Sequence, residues 1–391
     1  MAAALTRASP LAAALGMALS ISTAACDGPR PDPVREEIAA RRDARIEAGA
    51  AAYAKYCALC HAADANGYAA DHAPSLVSPT FLETASDEQI ARGIREGRPG
   101  TAMAAYGKAR GGPLDEEELF AIVSFLRDRG PFPVPLPTTP IVGDPALGEA
   151  VYDANCKGCH GTRTERRTAV HLSNATFLAS ASDSFLRHAV VHGRPGTPMP
   201  GFGGALTSDD IDNVVAFVRS WARPPAPVRK APPEPPPLGD FIINPRGPHP
   251  TFTLRDDRYV PIADVERALA EKKRIIIIDA RAPSDWYTMH IPGAISVPYY
   301  AIARLDSMPK DGTWITAYCA CPHHASGAIV DELRKRGFPH TAVLDEGILE
   351  WKKRNYPTTS EPLPPDSDAG PPPVPRFAPN PALRLLAPRR P

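Results

Sequence analysis

One stretch of this chain is written twice. Gly49-x-x-x-Tyr53-x-x-x-Cys57-x-x-Cys60-His61 returns as Gly148-x-x-x-Tyr152-x-x-x-Cys156-x-x-Cys159-His160, 99 residues further on. Downstream, Gly97-Arg98-Pro99-Gly100-Thr101-Ala102-Met103 matches Gly193-Arg194-Pro195-Gly196-Thr197-Pro198-Met199 at an offset of 96, and residues 119–127 match 211–219 at an offset of 92. The last pair is amphipathic at helical period. Such stepwise drift is what deletions in loops leave in a duplicated domain, because loops absorb length changes and packed helices do not. The repeat excludes one continuous fold over 391 residues. It predicts two copies of a small helical module with further sequence on either side.

Proline marks the joints. The chain holds 47, about 12% of its residues, against a usual share of about 5%. Of these, 32 fall in residues 27–33, 131–145, 224–250 and 357–391, where no helix interior or central strand can run. The expected map is a signal peptide over 1–25, a tether over 26–45, domains over 46–130 and 144–223 joined by a linker at 131–143, a second linker at 224–249, a third domain over 250–358 and a tail over 359–391. Lys plus Arg equals Asp plus Glu at 44 each and no long basic run appears, which argues against a nucleic-acid partner.

The first 25 residues hold Arg7, the short apolar run Leu11 to Leu19 and small residues up to Ala25. That run is too short to span a bilayer and suits an export signal. Small residues before Cys26 resemble a bacterial lipoprotein processing site, although Thr23 stands where that pattern more often has Leu; ordinary cleavage near Ala24 or Ala25 is the alternative. The expectation is export to a bacterial periplasm, with lipidation of Cys26 anchoring the chain to a membrane.

C-x-x-C-H is the attachment signal for c-type haem. Two thiols on one helical turn can each bond a haem vinyl group, and the adjacent histidine then meets the iron. A lone motif would also fit a zinc site or a thiol redox pair; the repeated surroundings favour haem. The arrangement resembles the class I cytochrome c family, and the Gly-Arg-Pro-Gly-Thr-x-Met segments resemble c-type subunits of haem-copper oxidases. The resemblance implies two all-α domains, in each of which the Gly/Tyr helix crosses the last helix. It implies two covalently bound c-type haems, held through Cys57, Cys60, Cys156 and Cys159. It makes His61 and Met103, and His160 and Met199, the axial ligands, the methionines lying 42 and 39 residues after their histidines. Arg98 and Arg194 either pair with haem propionates or are solvated loop charges. His72, His171, His188 and His192 are read as surface residues, with His192 an alternative ligand before Met199.

After the second linker the pattern becomes α/β. Residues 274–279 form a buried-strand run and 313–318 a second strand ending at Cys319; 264–270 and 326–336 read as helices, the latter capped by Gly337. A thiol between a strand end and a helix N-terminus is stabilised as thiolate. Asp279-Ala280-Arg281, Asp285-Trp286, the His290-to-Pro298 segment, Tyr318-Cys319, Leu344-to-Gly347 and Trp351 resemble the rhodanese family, which implies sulfur transfer through a persulfide on Cys319. The loop Cys319-Ala320-Cys321-Pro322-His323-His324-Ala325-Ser326 lacks the arginine that usually closes it. Cys321 is a second thiol, a second sulfur carrier or a structural residue; His323 and His324 supply a pH-dependent charge or line the mouth.

The fold class expected is therefore multidomain: two all-α cytochrome c domains followed by an α/β rhodanese-like domain. The function expected is an exported dihaem electron carrier whose third domain binds or transfers sulfane sulfur. Its partners would be a redox protein of a respiratory chain and a polysulfide, thiosulfate or persulfide. The alternative is a pure electron-transfer protein with a non-catalytic docking module.

Overall fold

A computed structural model describes residues 32–225, 235–320 and 323–361. The export segment, Cys26, Cys321, part of the second linker and residues 362–391 lie outside the described residues. The chain divides into residues 1–43 and 44–391, and apart from the start of the first helix everything discussed below belongs to the second unit. The first described helix, Pro33–Tyr56, begins inside the segment read as a tether. Proline is tolerated at a first helical position because its missing N–H would have no partner there.

The duplication is visible in the backbone. The order of helices Pro33–Tyr56, Ala58–His61, Pro79–Thr84, Asp87–Glu96 and Glu116–Arg127 repeats as Pro145–Asn155, Lys157–His160, Ala175–Ser180, Asp183–His192 and Ser208–Ser220. The starts are specified locally. Ser86 and Ser182 accept from the third backbone N–H of the following helix. Asp115 and Thr207 form capping boxes with Glu118 and Asp210. Each such cap contributes about 1 kcal/mol.

The crossing of first and last helices explains the repeated glycine. A Cβ on Gly49 would lie 2.0 Å from the Ala121 carbonyl oxygen, and one on Gly148 would lie 2.0 Å from that of Asn213. Tyr53 then packs on Phe125 with ring centroids 5.0 Å apart, and Tyr152 on Phe217 at 5.4 Å. Both phenols donate to the loop after the C-x-x-C-H motif, Tyr53 to Ala62 O and Tyr152 to Gly161 O.

The two helical domains share one hydrophobic cluster. The linker between them is strapped down: Val134 N donates to Glu83 O, Ser184 Oγ to Pro137 O, and Leu136 and Ile141 pack on the cluster.

The third domain is a five-stranded parallel sheet of Tyr259–Val260 (β1), Ile275–Asp279 (β2), Ile295–Ser296 (β3), Trp314–Tyr318 (β4) and Thr341–Leu344 (β5), in the order β1-β5-β4-β2-β3. β2 is buried along its whole length, as a parallel strand covered on both faces must be. Ile276 and Ile278 face one core with Ile315, Ala317 and Cys319; Ile275 and Ile277 face the other with Tyr318 and Trp351. Backbone bridges tie in residues on both sides of those read as the third domain. Ile243 bridges to Ile275, and Thr359 bridges to His290.

Candidate haem and sulfur sites

Each helical domain holds its histidine by the same device. His61 is buried with Nδ1 2.9 Å from Pro74 O, and His160 Nδ1 is 2.8 Å from Val170 O. Burial lowers both pKa values, while the carbonyl contacts work the other way. In both rings Nδ1 is committed to a carbonyl, which leaves Nε2 as the nitrogen available to a metal.

The methionine loops are equally alike. Arg98 N donates to Met103 O and Arg194 N to Met199 O. Thr101 and Thr197 donate through Oγ1 to the carbonyls of Arg98 and Arg194, each at 2.7 Å, and accept from the methionine N–H. The tight turns require φ near +63° and +82° at Gly97 and Gly100, and matching values at Gly193 and Gly196, a region that suits glycine.

Burial pushes the Cys57 thiol up to about 12 and that of Cys156 up to about 11. Among the described residues no group of three or more His, Cys, Asp or Glu side chains is placed to hold a metal ion.

Arg98 and Arg194 are pulled down to about 10 by burial, with Glu96 partly opposing this at Arg98. Among the described residues neither forms a carboxylate salt bridge. Arg98 lies over Phe177 and donates to Gly97 O; Arg194 lies over Phe81 and Phe185 and donates to Thr80 O. Two half-buried guanidiniums without a carboxylate salt bridge suit a group that carries carboxylates, as a haem does. The residues present fit that group.

These arginines also sit where the helical domains meet, through equivalent contacts. Asn174 Nδ2 donates to Pro99 O, and Ser78 Oγ, at the corresponding position, donates to Pro195 O. The two methionine loops therefore dock on each other's domain. Of the other histidines, His72 and His192 are exposed. His171 and His188 are half-buried, more enclosed than surface residues: His171 Nε2 lies 3.1 Å from Thr162 O, and His188 packs tilted against His192 with its Nδ1 buried and without a hydrogen bond.

In the third domain Cys319 follows the carboxyl end of the central strand β4, the end at which open α/β sheets bind ligands. Its side chain is buried, 2% exposed, and Sγ lies 3.3 Å from Ser326 Oγ in the first turn of helix His324–Lys335. Thiol and hydroxyl are hydrogen-bond partners, and either can be the donor. His323 does not stand free. Its Nε2 is 2.6 Å from Asp345 Oδ1, which also accepts from Arg255, and its ring packs tilted against that of Tyr259. Burial would raise the Asp345 pKa, but Arg255 and His323 outweigh it and hold it below the usual range. Beneath the site Asp279 accepts from Arg281 Nε at 2.9 Å, from Arg281 Nη2 at 2.6 Å and from Tyr318 Oη at 2.8 Å.

Comparison with known proteins agrees with this division. Residues 44–126 and 143–218 match the family described as cytochrome c oxidase, cbb3-type, subunit III, and residues 262–354 match the rhodanese-like domain. Cytochrome c6 of Diacronema lutheri is 35% identical over 86 residues, 20% of this chain and 99% of that protein. Two cytochrome c segments here precede a rhodanese-like domain. The cbb3-type cytochrome c oxidase subunit FixP of a Bradyrhizobium species is 29% identical over 182 residues; the chain spans only 59% of FixP, and the match covers 44% of the chain. A solved rhodanese-like domain from Anabaena, 25% identical, covers 29% of this chain and 88% of that one at a TM-score of 0.25. Cytochrome c domains imply covalent c-type haem and electron transfer. Among the described residues no helix is long and apolar enough to cross a membrane.

Several positioning residues escape sequence reading. Arg127 donates from Nε to Asp87 and from its Nη atoms to Leu82 O and Ala85 O; Arg219 repeats this with Asp183, Leu178 O and Ala181 O. The aligned arginines were the available signal, but backbone carbonyl partners leave no trace in side-chain identity. In the rhodanese-like domain Arg258 donates to Gly327 O and pairs with Asp331, so the guanidinium beside the first turns of this helix comes from β1's approach and not from the cysteine loop.

Proposed function

We propose that this chain is an exported dihaem electron carrier, lipid-anchored through Cys26, whose rhodanese-like domain carries sulfane sulfur on Cys319. The observation that supports it best is the duplicated cradle, in which both histidines are held by a carbonyl at Nδ1 and both methionine loops have the same hydrogen bonds. His61 and Met103 would hold one haem iron and His160 and Met199 the other. Cys57, Cys60, Cys156 and Cys159 would form the thioethers, and Arg98 and Arg194 would meet propionates. Bound there, haem with His and Met ligands supplies one-electron transfer at a raised potential. The chain's own residues bury the histidines, set their tautomer and join the methionine loops into one interface. The partial likeness to FixP supports a respiratory redox protein as partner.

At Cys319 the thiolate would attack the outer sulfur of a persulfide, polysulfide or thiosulfate. The donor S–S bond breaks, the donor leaves as thiolate or sulfite, and a Cys319 persulfide forms with no net redox change. An acceptor thiolate then takes the outer sulfur. Ser326 steadies the attacking and leaving thiolate. The near-complete burial of Cys319 favours a second reading, in which the domain is only a docking module.

Alkylation and peptide mass analysis after exposure to polysulfide separates the two. The first reading expects one added sulfur on the Cys319 peptide, none in Cys319→Ser, and slower loading in Ser326→Ala. No added sulfur in the wild type refutes sulfur transfer and leaves docking.

A further inference from the structure

The two C-x-x-C-H segments differ in what covers them. Around the second, Cys159 is exposed, His160 is half-buried, and a Cβ on Gly158 would meet nothing within 4 Å. Around the first, Cys60 is half-buried, His61 is buried, and Leu59 stands at the position of Gly158.

The covering comes from the rhodanese-like domain. Leu59, between the two thiols, and Ala102, next to Met103, pack against its core clusters. Helix His324–Lys335, which begins just after the cysteine loop, lies alongside Ala58–His61. Tyr299 Oη donates at 2.6 Å to Tyr56 O, immediately before Cys57, and lies 3.1 Å from Tyr106 Oη. The ring of Tyr300 meets that of Tyr56 edge-on at 4.9 Å, and Ser284 Oγ donates to Ala105 O at 2.8 Å, two residues beyond Met103. Both sides of the first site, its thiol helix and its methionine loop, are thus touched by the same domain.

We infer that the rhodanese-like domain forms an outer wall of the first haem pocket, with Tyr299 as the positioning residue that seats it, and leaves the second attachment site as the face open to an external redox protein. The inference rests on the haem assignment above. Two pockets built from one repeat would then differ in water access. Water favours the more highly charged ferric state, so access sets potential. The walled haem faces the sulfur domain, and the open one faces the partner.

The test uses the full-length holoprotein. Haem content is measured first, then an equilibrium redox titration is followed optically for wild type, Tyr299→Phe and Tyr299→Ala, with the time course of reduction by ascorbate. The wild type is expected to show two midpoints and two reduction phases. Tyr299→Ala should lower one midpoint, leave the other in place and accelerate only the slower phase. Tyr299→Phe keeps the ring and should move the same midpoint less. If both midpoints move together, or neither moves while two haems are bound, the wall is not what distinguishes the sites and the inference is overturned. Fewer than two haems in the wild type refutes the haem assignment itself, and the inference with it.

Discussion

Gly49→Val and Gly148→Val are each expected to prevent their own helical domain from closing. The crossing puts the glycine Cα against backbone: a Cβ would lie 2.0 Å from a carbonyl oxygen and 2.5 Å from its carbon, in both copies. No rotamer change relieves a contact with backbone. Even alanine, which gains about 1 kcal/mol of helix propensity over glycine, must force the helices apart at an overpacking cost of about 1–3 kcal/mol or more. The clash wins. Urea unfolding followed by far-ultraviolet circular dichroism should show Gly49→Ala and Gly148→Ala destabilised and the valine variants failing to accumulate as haem-bearing protein. Gly158→Ala is the control: its Cβ meets nothing and it lies in helix Lys157–His160, so stability should hold or rise by up to about 1 kcal/mol. A Gly49→Ala protein more stable than wild type contradicts the crossing.

Asp279→Ala is expected to cost about 3–5 kcal/mol, the usual penalty for leaving a buried charge without its partner. The Asp279 side chain is fully buried and that of Arg281 is 7% exposed. Burial works against the Arg281 charge, yet Asp279 and then Asp285 outweigh it and raise its pKa. The loss also strands the Tyr318 hydroxyl, immediately before Cys319. pH adds a second signature. Burial pushes Asp285 up to about 6 from 3.8, with Arg281 pulling it down and Asp279 adding to the rise. A raised carboxyl takes up its proton more readily in the folded state, so its contribution is full at acid pH and lost as pH rises through 6. In Asp279→Ala, Asp285 is the carboxylate left near Arg281, at 3.5 Å, and it pairs only when ionised. The deficit against wild type should therefore widen as pH falls through the titration of Asp285. Denaturant melts at two pH values check this; a deficit below about 1 kcal/mol, the scale of an exposed pair, contradicts the account.

These two sites were legible in the sequence for different reasons. A backbone crossing tolerates only glycine, so the repeated Gly49 and Gly148 carried a structural meaning that two copies made visible. Ile275 to Ile278 read as a strand because a central parallel strand is apolar on both faces. By contrast, β1 and β3 are two residues each and hold no period. The strap of Val134 on Glu83 O and the clamps of Arg127 and Arg219 use backbone acceptors, whose partners any residue could supply. The seat of Tyr299 on Tyr56 joins residues 243 apart in the chain. Nothing local marks such a contact. The cysteine loop lay between these cases: its missing arginine was plain, but that His323 is committed to Asp345 follows only from the fold.

The central claim is that both C-x-x-C-H segments bind haem covalently. Intact mass of the mature protein, with haem quantified after acid–acetone extraction, tests it directly. Two haems that resist extraction are predicted, falling to one in Cys57→Ala/Cys60→Ala and to one in Cys156→Ala/Cys159→Ala. A protein that releases its haem on extraction, or carries a single haem lost from only one of these variants, contradicts the account.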